Sequence, residues 1–179
     1  MATYYGDQFA ALATDVTEAD AARRAAGPIS HPGKATAVSI GRVQVDGTAN
    51  GDVLRVLRGV PSSARLLELW ATLDPPSGGN ISAGNVDIGV YLAGTNHDGA
   101  AVSDNVFESA QSVTSGLVRA EAFKGASLTD LDRGKPLWEI LGLSEDPNVT
   151  YDICATTDTG WAFSSGTEIF QLEAVFLVD

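Results

Sequence analysis

Short runs of apolar residues that alternate with polar ones recur along this chain, and this period of two restricts the fold more than any other feature. Apolar side chains at every second position share one face of a β-strand. In residues 65–73, for example, Leu67, Leu69 and Leu73 fall on one face. Similar runs occupy residues 38–45, 53–57, 86–92, 149–155 and 170–178. Turn-forming pairs such as Asn50-Gly51 separate them, so the pattern predicts antiparallel strands joined by turns.

Three local features modify this pattern. The apolar phase of residues 38–45 slips at Gly41, which predicts a β-bulge at that position. Residues 103–105 (Ser-Asp-Asn) predict a helix cap, followed by a short helix that carries Val106, Phe107 and Ala110. Residues 135–143 place a proline in a first helical turn and a glycine at the end, which predicts a second short helix. We expect both helices to lie in one long connection.

The order of these elements predicts the fold class. No strand alternates regularly with a long helix, so a parallel sheet is disfavoured. The terminal run at 170–178 is the most apolar, and we expect it to lie centrally in its sheet. The sequence therefore predicts a mainly β domain over residues 35–179, an antiparallel, jelly-roll-like β-sandwich.

Residues 1–34 have a different composition and are predicted to form an N-terminal arm and linker. Residues 7–26 are rich in alanine and indicate one or two short helices. Residues 27–33 then contain two prolines and two glycines, which is typical of an extended linker. A helix that lies directly on the domain is the equal alternative.

Charge excludes several classes of partner. The formal net charge is −12 and the longest basic cluster is Arg23-Arg24, whereas nucleic-acid binding requires several phosphates to be neutralised together. No stretch approaches about 20 apolar residues, and the first residues do not resemble a signal peptide. We expect a soluble protein that is made in a cytoplasm and binds neither nucleic acid nor membrane.

No catalytic, cofactor-binding or metal-binding motif is present in the sequence. The two histidines, His31 and His97, lie in turn-rich segments, where we expect solvated side chains. The polar residues at 96–98 and 104–105 offer oxygen ligands, but turn formation explains them better than calcium binding. The single cysteine, Cys154, falls within a predicted strand as a small buried apolar residue. We therefore expect a protein that is not an enzyme and has no cofactor.

Aromatic residues are the best candidates for contact with a partner. Trp70 and Tyr91 occupy the phases opposite the apolar faces of their strands, which would expose them on a simple sheet. A large exposed aromatic residue more often marks a subunit contact than a sugar-binding site. The predicted interface residues are Tyr4, Tyr5, Phe9, Trp70, Tyr91 and Trp161.

From about residue 51 to residue 179 the chain resembles small virion structural proteins of tailed bacteriophages. The resemblance is carried by residues 54–57, 60–61, 63–66, 86–92, 104–110, 136–139 and 151–153, together with the terminal apolar strand. These residues resemble the family in the pattern of their strands and not in a chemical motif. The resemblance therefore assigns no binding residue to this chain.

The resemblance implies a β-sandwich protein that decorates or cements the capsid. The expected partners are the major capsid protein and other copies of the same chain, as a homo-oligomer that is commonly a trimer. The expected location is the capsid surface of the virion, after synthesis in the host cytoplasm. The alternative is a receptor- or glycan-binding module associated with a tail or fibre. Residues 1–34, with Tyr4, Tyr5 and Phe9, would be the segment that becomes ordered on docking.

Overall fold

The computed structural model describes residues 3–5, 7–8, 35–45, 48–73, 84–161 and 168–178, which form two β-sheets. Strands are numbered in chain order. Sheet A contains, from one edge to the other, β1 (Thr3–Tyr5), β4 (Val53–Pro61), β9 (Thr150–Asp158), β6 (Asn85–Leu92) and β7 (Ala101–Ser112). Sheet B contains β2 (Asp7–Gln8), β3 (Ala35–Gln44), β10 (Ile169–Val178), β5 (Arg65–Leu73) and β8 (Leu117–Glu121).

Four strands of each sheet, from β3 onward, are antiparallel, which agrees with the predicted mainly β architecture and with a sandwich. The terminal strand β10 pairs with β3 on one side and with β5 on the other. Its side chains Phe170, Leu172 and Ala174 are fully buried. The prediction of a central terminal strand is therefore confirmed, because a strand of this composition needs neighbours on both sides.

The core lies between the two sheets and follows most of the predicted alternating faces, but the prediction is wrong at Leu67, because Leu66 is the residue buried in its place on β5. On β5 the buried residues are Leu66, Leu69, Ala71 and Leu73. Leu66 and Leu69 lie three positions apart and would face opposite sides of a regular strand. Both are buried because the pairing of β5 with β10 shifts register between Val175 and Phe176. The largest fully buried side chains are Tyr151, Phe107, Phe170, Leu54, Leu57, Leu66, Leu69, Leu73, Ile88, Leu137 and Ile153.

Two glycines let backbone from the two sides of the sandwich approach closely. A Cβ atom at Gly41 on β3 would overlap the carbonyl of Val56 on β4, and one at Gly125 would overlap the carbonyl of Val106 on β7. The predicted bulge at Gly41 is wrong, because β3 pairs with β10 in unbroken register. The change of phase instead marks the point where the apolar residues change from the partly exposed outer face to the buried inner face.

The helix predicted after residues 103–105 is also wrong, since residues 101–112 form β7. This strand pairs with β6 through three register shifts and buries Val106 and Phe107. Pairing along β6 satisfies many more backbone groups than the cap of a short helix, so tertiary contacts override the local signal. Strand β8 was not predicted, because Leu117-Val118-Arg119-Ala120-Glu121 lacks a period of two.

The second predicted helix is confirmed, although it is shorter than residues 135–143. Helix α1 spans Leu137–Ile140 and starts after Pro136. Gly142 follows it with a φ of 73°, a conformation that favours glycine. A single 3₁₀ turn, Asp130–Asp132, precedes it.

At the N-terminus, β1 and β2 each pair with one edge of the sandwich, so Asp7 and Gln8 do not belong to a helix. The rest of the predicted helical segment and the linker, residues 9–34, lie outside the described residues. Within the described part of the chain, no helix is both long and apolar enough to span a membrane.

Candidate interaction surface

The described residues contain no group of three or more histidine, cysteine or acidic side chains arranged to hold a metal ion. Cys154 is fully buried, as predicted, and burial raises the pKa of its thiol well above the ordinary value. A buried thiol of this kind is a poor nucleophile, because the thiolate is the reactive form.

A buried ion pair with a histidine neighbour lies on the outer side of sheet A. The carboxylate of Asp152 is fully buried and accepts hydrogen bonds from Arg55 Nη1 at 2.8 Å and from the backbone N–H of Gly59 at 2.9 Å. His97 Nδ1 lies 2.9 Å from Asp152 Oδ1. The expectation of a freely solvated His97 is therefore wrong, whereas His31 lies outside the described residues.

The side chain of Arg55 also hydrogen-bonds to the loop between β6 and β7. Arg55 donates to the carbonyl of Leu92 at 3.1 Å and to that of Gly99 at 2.5 Å. At Gly89 a Cβ atom would overlap the backbone of residues 103–104 in the first part of β7, where the pairing with β6 shifts register. The loop between β6 and β7 is thus held by hydrogen bonds from the Arg55 guanidinium, which is itself paired with the carboxylate of Asp152.

Neighbouring side chains explain why Tyr91 is not exposed, since it packs with Val53 and Cys154 and the guanidinium of Arg55 lies 5.3 Å from the centre of its ring. Tyr91 lies on the outer side of β6, as its phase predicted, but only 5% of its surface is accessible, and its hydroxyl pairs with Thr156 Oγ1 at 2.7 Å. Burial raises the pKa of Tyr91 above its ordinary value. Trp161 is also buried, with 2% exposure, and its Nε1 donates to Thr48 Oγ1 at 2.7 Å. Neither ring is available on the surface of the single chain.

The predicted N-terminal contact residues are less completely described. The backbone of Tyr4 and Tyr5 pairs in parallel with Leu54 and Arg55 on β4. Phe9 lies outside the described residues. Of the six predicted residues, Trp70 is the one whose side chain the structure places at the surface.

Trp70 belongs to a surface that we call the β8 surface, defined by Trp70, Val118, Arg119, Glu121, Leu131 and Arg133. The indole Nε1 of Trp70 donates to Glu68 Oε2 at 2.9 Å, and the guanidinium of Arg119 lies 4.4 Å from the centre of the indole ring. Arg119 also pairs with Glu173 on β10 at 3.0 Å. These contacts hold the indole and the guanidinium face to face, an arrangement worth about 0.5–1 kcal/mol at exposed sites.

Arg133 connects the 3₁₀ turn to the strands of the same surface. It donates to the carbonyl of Leu67 at 3.0 Å, pairs with Glu121 and Asp130, and covers the ring of Phe123 at 4.9 Å. Burial lowers the pKa of Arg133, but the hydrogen bonds to Asp130 and Glu121 outweigh it and raise the pKa overall. A shallow groove of about 400 Å³ lies between this arginine and Trp70.

Two large apolar side chains of this surface stand out from the rest of the described chain. Val118 is 90% exposed and Leu131 is 86% exposed, whereas every other exposed large apolar side chain that the structure describes is at most 41% exposed. Exposure of this degree has no packing role in the single chain. A strand edge that carries such residues is a typical contact site for another protein.

The sequence contained a signal for this surface that the periodicity analysis missed. Residues 117–136 hold four basic and three acidic side chains, a net charge of +1, whereas the whole chain carries −12. The four basic residues are Arg119, Lys124, Arg133 and Lys135. A search for local departures from the overall charge would have identified this segment together with residues 34–65, where five basic and two acidic side chains give +3.

A second concave area lies at one end of sheet A. Its volume is about 500 Å³, and it is lined by Pro61, Ser62, Ser63, Leu92, Gly94, Asn148, Val149 and Thr150. The turn at residues 94–98 borders it through Gly94. Ser62 Oγ donates to Asp146 Oδ1 at 2.5 Å and accepts from the backbone N–H of Val149 at 3.2 Å, and so ties residues 61–63 to residues 146–149.

The comparisons with known proteins give a likeness of fold. No family model matches the sequence. No curated protein matches it either. Among solved structures, a chain of the cyanophage Pam1 capsid asymmetric unit is similar, with a TM-score of 0.50 and 18% sequence identity. The likeness covers 86% of this chain and 92% of that chain, so the two share an overall fold over nearly their whole lengths.

Proposed function

We propose that this protein is a structural component of a tailed-phage virion and that it decorates the outer surface of the capsid. The observation that carries the proposal is the fold, since nearly the whole chain is similar to a chain of a phage capsid asymmetric unit. A decoration protein needs a stably folded domain and a surface that contacts the capsid. The β8 surface, with its two strongly exposed apolar side chains, Val118 and Leu131, offers such a contact.

We further propose that the sandwich is a jelly roll. Counting only the eight strands from β3, the order within sheet B is first, eighth, third and sixth, and within sheet A it is second, seventh, fourth and fifth. This interleaving, in which neighbours in one sheet are distant in sequence, supports a double Greek key. Jelly rolls are frequent in viral capsid proteins, so the topology and the proposed role support each other.

The proposed partners are the major capsid protein and other copies of this chain. A homo-oligomer such as a trimer can engage several equivalent capsid sites at once, which raises avidity without further contacts per copy. Trp70 is the proposed contact residue on the sandwich. Residues 1–34, with Tyr4, Tyr5 and Phe9, are proposed as the arm that docks on a neighbouring subunit, and the sandwich domain as residues 35–179.

A binding experiment with capsids tests the proposal. Purified protein is mixed with capsids that lack it, the particles are sedimented, and the bound fraction is measured over a range of protein concentrations. Decoration predicts saturable binding, with a plateau that corresponds to a fixed number of copies per capsid. Purified tails from the same phage are the control, and binding to tails but not to heads would contradict the proposal.

The runner-up function is a glycan- or receptor-binding module of a tail or fibre. The groove beside Trp70 contains Glu68 and Glu121, which could accept hydrogen bonds from sugar hydroxyls. However, the guanidinium of Arg119 already covers one face of the Trp70 ring, where a sugar would stack. A glycan array, with Trp70→Ala as the control, separates the two functions, because only the glycan-binding protein loses a signal on this substitution.

A further inference from the structure

We propose that the oligomer forms by exchange of the N-terminal segment, residues 3–5 and 7–8, which pairs with the sandwich of a neighbouring copy. The inference rests on the proposed function, because it names the surface on which the proposed arm docks. That surface is the edge where β3 of sheet B meets β4 of sheet A. We call it the β3–β4 seam and define it by residues 41–42 and 53–55.

The β3–β4 seam brings the edge strands of both sheets together. Without the N-terminal segment, β4 is the edge of sheet A and β3 is the edge of sheet B. A Cβ atom at Gly41 on β3 would overlap the carbonyl of Val56 on β4, so the two backbones are nearly in contact. An edge strand presents unpaired N–H and C=O groups, which form a template for a further strand. The seam therefore holds two such templates at one place.

The N-terminal segment fills both templates. Thr3–Tyr5 (β1) pairs in parallel with residues 53–55 of β4. Asp7–Gln8 (β2) pairs in the antiparallel direction with residues 41–42 of β3. One short segment thus closes an edge of each sheet. Strand addition of this kind uses backbone groups of the seam, so the same segment of another copy can form the same pairs.

The register of β2 also matches charge. Asp7 lies opposite Arg42, an exposed residue of β3. The Nε of Arg42 donates to the neutral side chain of Gln171 at 2.7 Å. Directly opposed residues of opposite charge stabilise a strand pair. The seam is therefore matched to this segment of the chain and not to any extended peptide.

The length of the connection between β2 and β3 allows the segment to come from a neighbouring copy. Gln8 lies opposite Gly41, which is about 20 Å along β3 from its first residue, Ala35. An extended chain of the length of residues 9–34 spans about 90 Å, and a helix of that length spans about 40 Å. A domain of this size has a diameter of about 40 Å. The connection is therefore longer than closure within one chain requires, and it reaches an adjacent copy.

Short pairing and a long connection both make the segment exchangeable. The strands β1 and β2 are three and two residues long, so few backbone hydrogen bonds retain the segment on its own chain. A longer connection lowers the effective concentration of the segment at its own seam. A neighbouring copy then competes for that seam, and exchange leaves every seam filled. Exchange of an identical element is a low-cost route to an oligomer.

Disulfide trapping tests the exchange without any capsid. The variants Asp7→Cys and Arg42→Cys are coexpressed, one of them with an affinity tag, and the purified protein is oxidised. Exchange predicts a disulfide-linked dimer of the two variants, in which mass spectrometry finds residues 7 and 42 joined. Native Cys154 is fully buried and does not compete. The matched control pairs Asp7→Cys with Val102→Cys, an exposed position on the opposite edge strand of sheet A, and should give no mixed dimer.

A chain that carries both cysteines gives a second measurement. Exchange predicts covalent oligomers on a denaturing gel without reductant, and light scattering should give the wild type the mass of an oligomer. A disulfide closed within one chain, the absence of any disulfide between residues 7 and 42, or a monomeric wild type would overturn the inference. Capsid binding by a chain that closes its own seam would leave the proposed function intact, whereas exchanged oligomers that ignore capsids would contradict that function alone.

Discussion

Replacement of Asp152 by alanine tests the idea that this buried carboxylate positions Arg55, which hydrogen-bonds to the loop between β6 and β7. Asp152 and Arg55 have side-chain exposures of 0% and 3%, so the substitution leaves a guanidinium buried without its counter-charge. Removal of one partner from a buried pair typically costs about 3–5 kcal/mol. The carbonyls of Leu92 and Gly99 still accept from Arg55, which places the expected cost at the lower end of that range.

The loss is measurable as a fall in melting temperature. For a chain of this size, 1 kcal/mol corresponds to about 2–4 °C, so a cost of about 3 kcal/mol for Asp152→Ala should lower Tm by about 6–12 °C. Differential scanning calorimetry measures this, with the exposed Asp104→Asn as the control, for which a change within about 0.5 kcal/mol is expected. Hydrogen exchange should also show faster exchange in residues 93–104. A fall of less than about 3 °C, or unchanged exchange in that segment, would refute the reasoning.

Three further predictions concern single residues. Cys154 should resist a maleimide reagent in the native protein and react once the chain is unfolded, because its thiol is buried with a raised pKa; rapid labelling of the native protein would contradict the burial. Gly125→Val should lower the free energy of unfolding by more than about 1 kcal/mol in urea titrations, since its Cβ would overlap the carbonyl of Val106. Gly142→Ala is the comparison that tests backbone strain alone, because a Cβ at Gly142 meets no other atom while its φ is positive. Hydrogen bonds from Lys135 and Thr129 lower the pKa of Asp132 from 3.8 to about 2, so its contribution to stability should be complete above pH 4 and disappear as the pH falls to 2. Thermal melts of the wild type and Asp132→Asn across that range should converge at low pH.

The parts of the fold that follow a strong local period were predictable from the sequence. The strand at 65–73 and the central terminal strand each follow from alternating side chains, and the short helix after Pro136 follows from proline and glycine positions. These signals are local, and in each case the tertiary contacts agree with them.

The remaining features depend on contacts that a local pattern does not contain. Ser103 and Asp104 look like a helix cap, but pairing with β6 makes them part of a strand. Tyr91 has the phase of an exposed residue, but it is buried against Val53, Cys154 and the guanidinium of Arg55. The ion pair itself joins residues 97 positions apart, and no spacing rule indicates it. Of the β8 surface, Trp70 was named from the sequence, whereas Val118 and Leu131 were missed, because the exposure of Val118 depends on the irregular strand β8 and that of Leu131 on a 3₁₀ turn.

Electron microscopy of capsids is the most direct test of the proposed decoration role. Capsids that lack the protein are imaged before and after the purified chain is added, and the difference density is calculated with the symmetry of the shell imposed. The account predicts new density on the outer surface at symmetry-related positions, with the size of an oligomer of this sandwich. Capsids that show no added density, together with density on tails or fibres incubated in the same way, would contradict it.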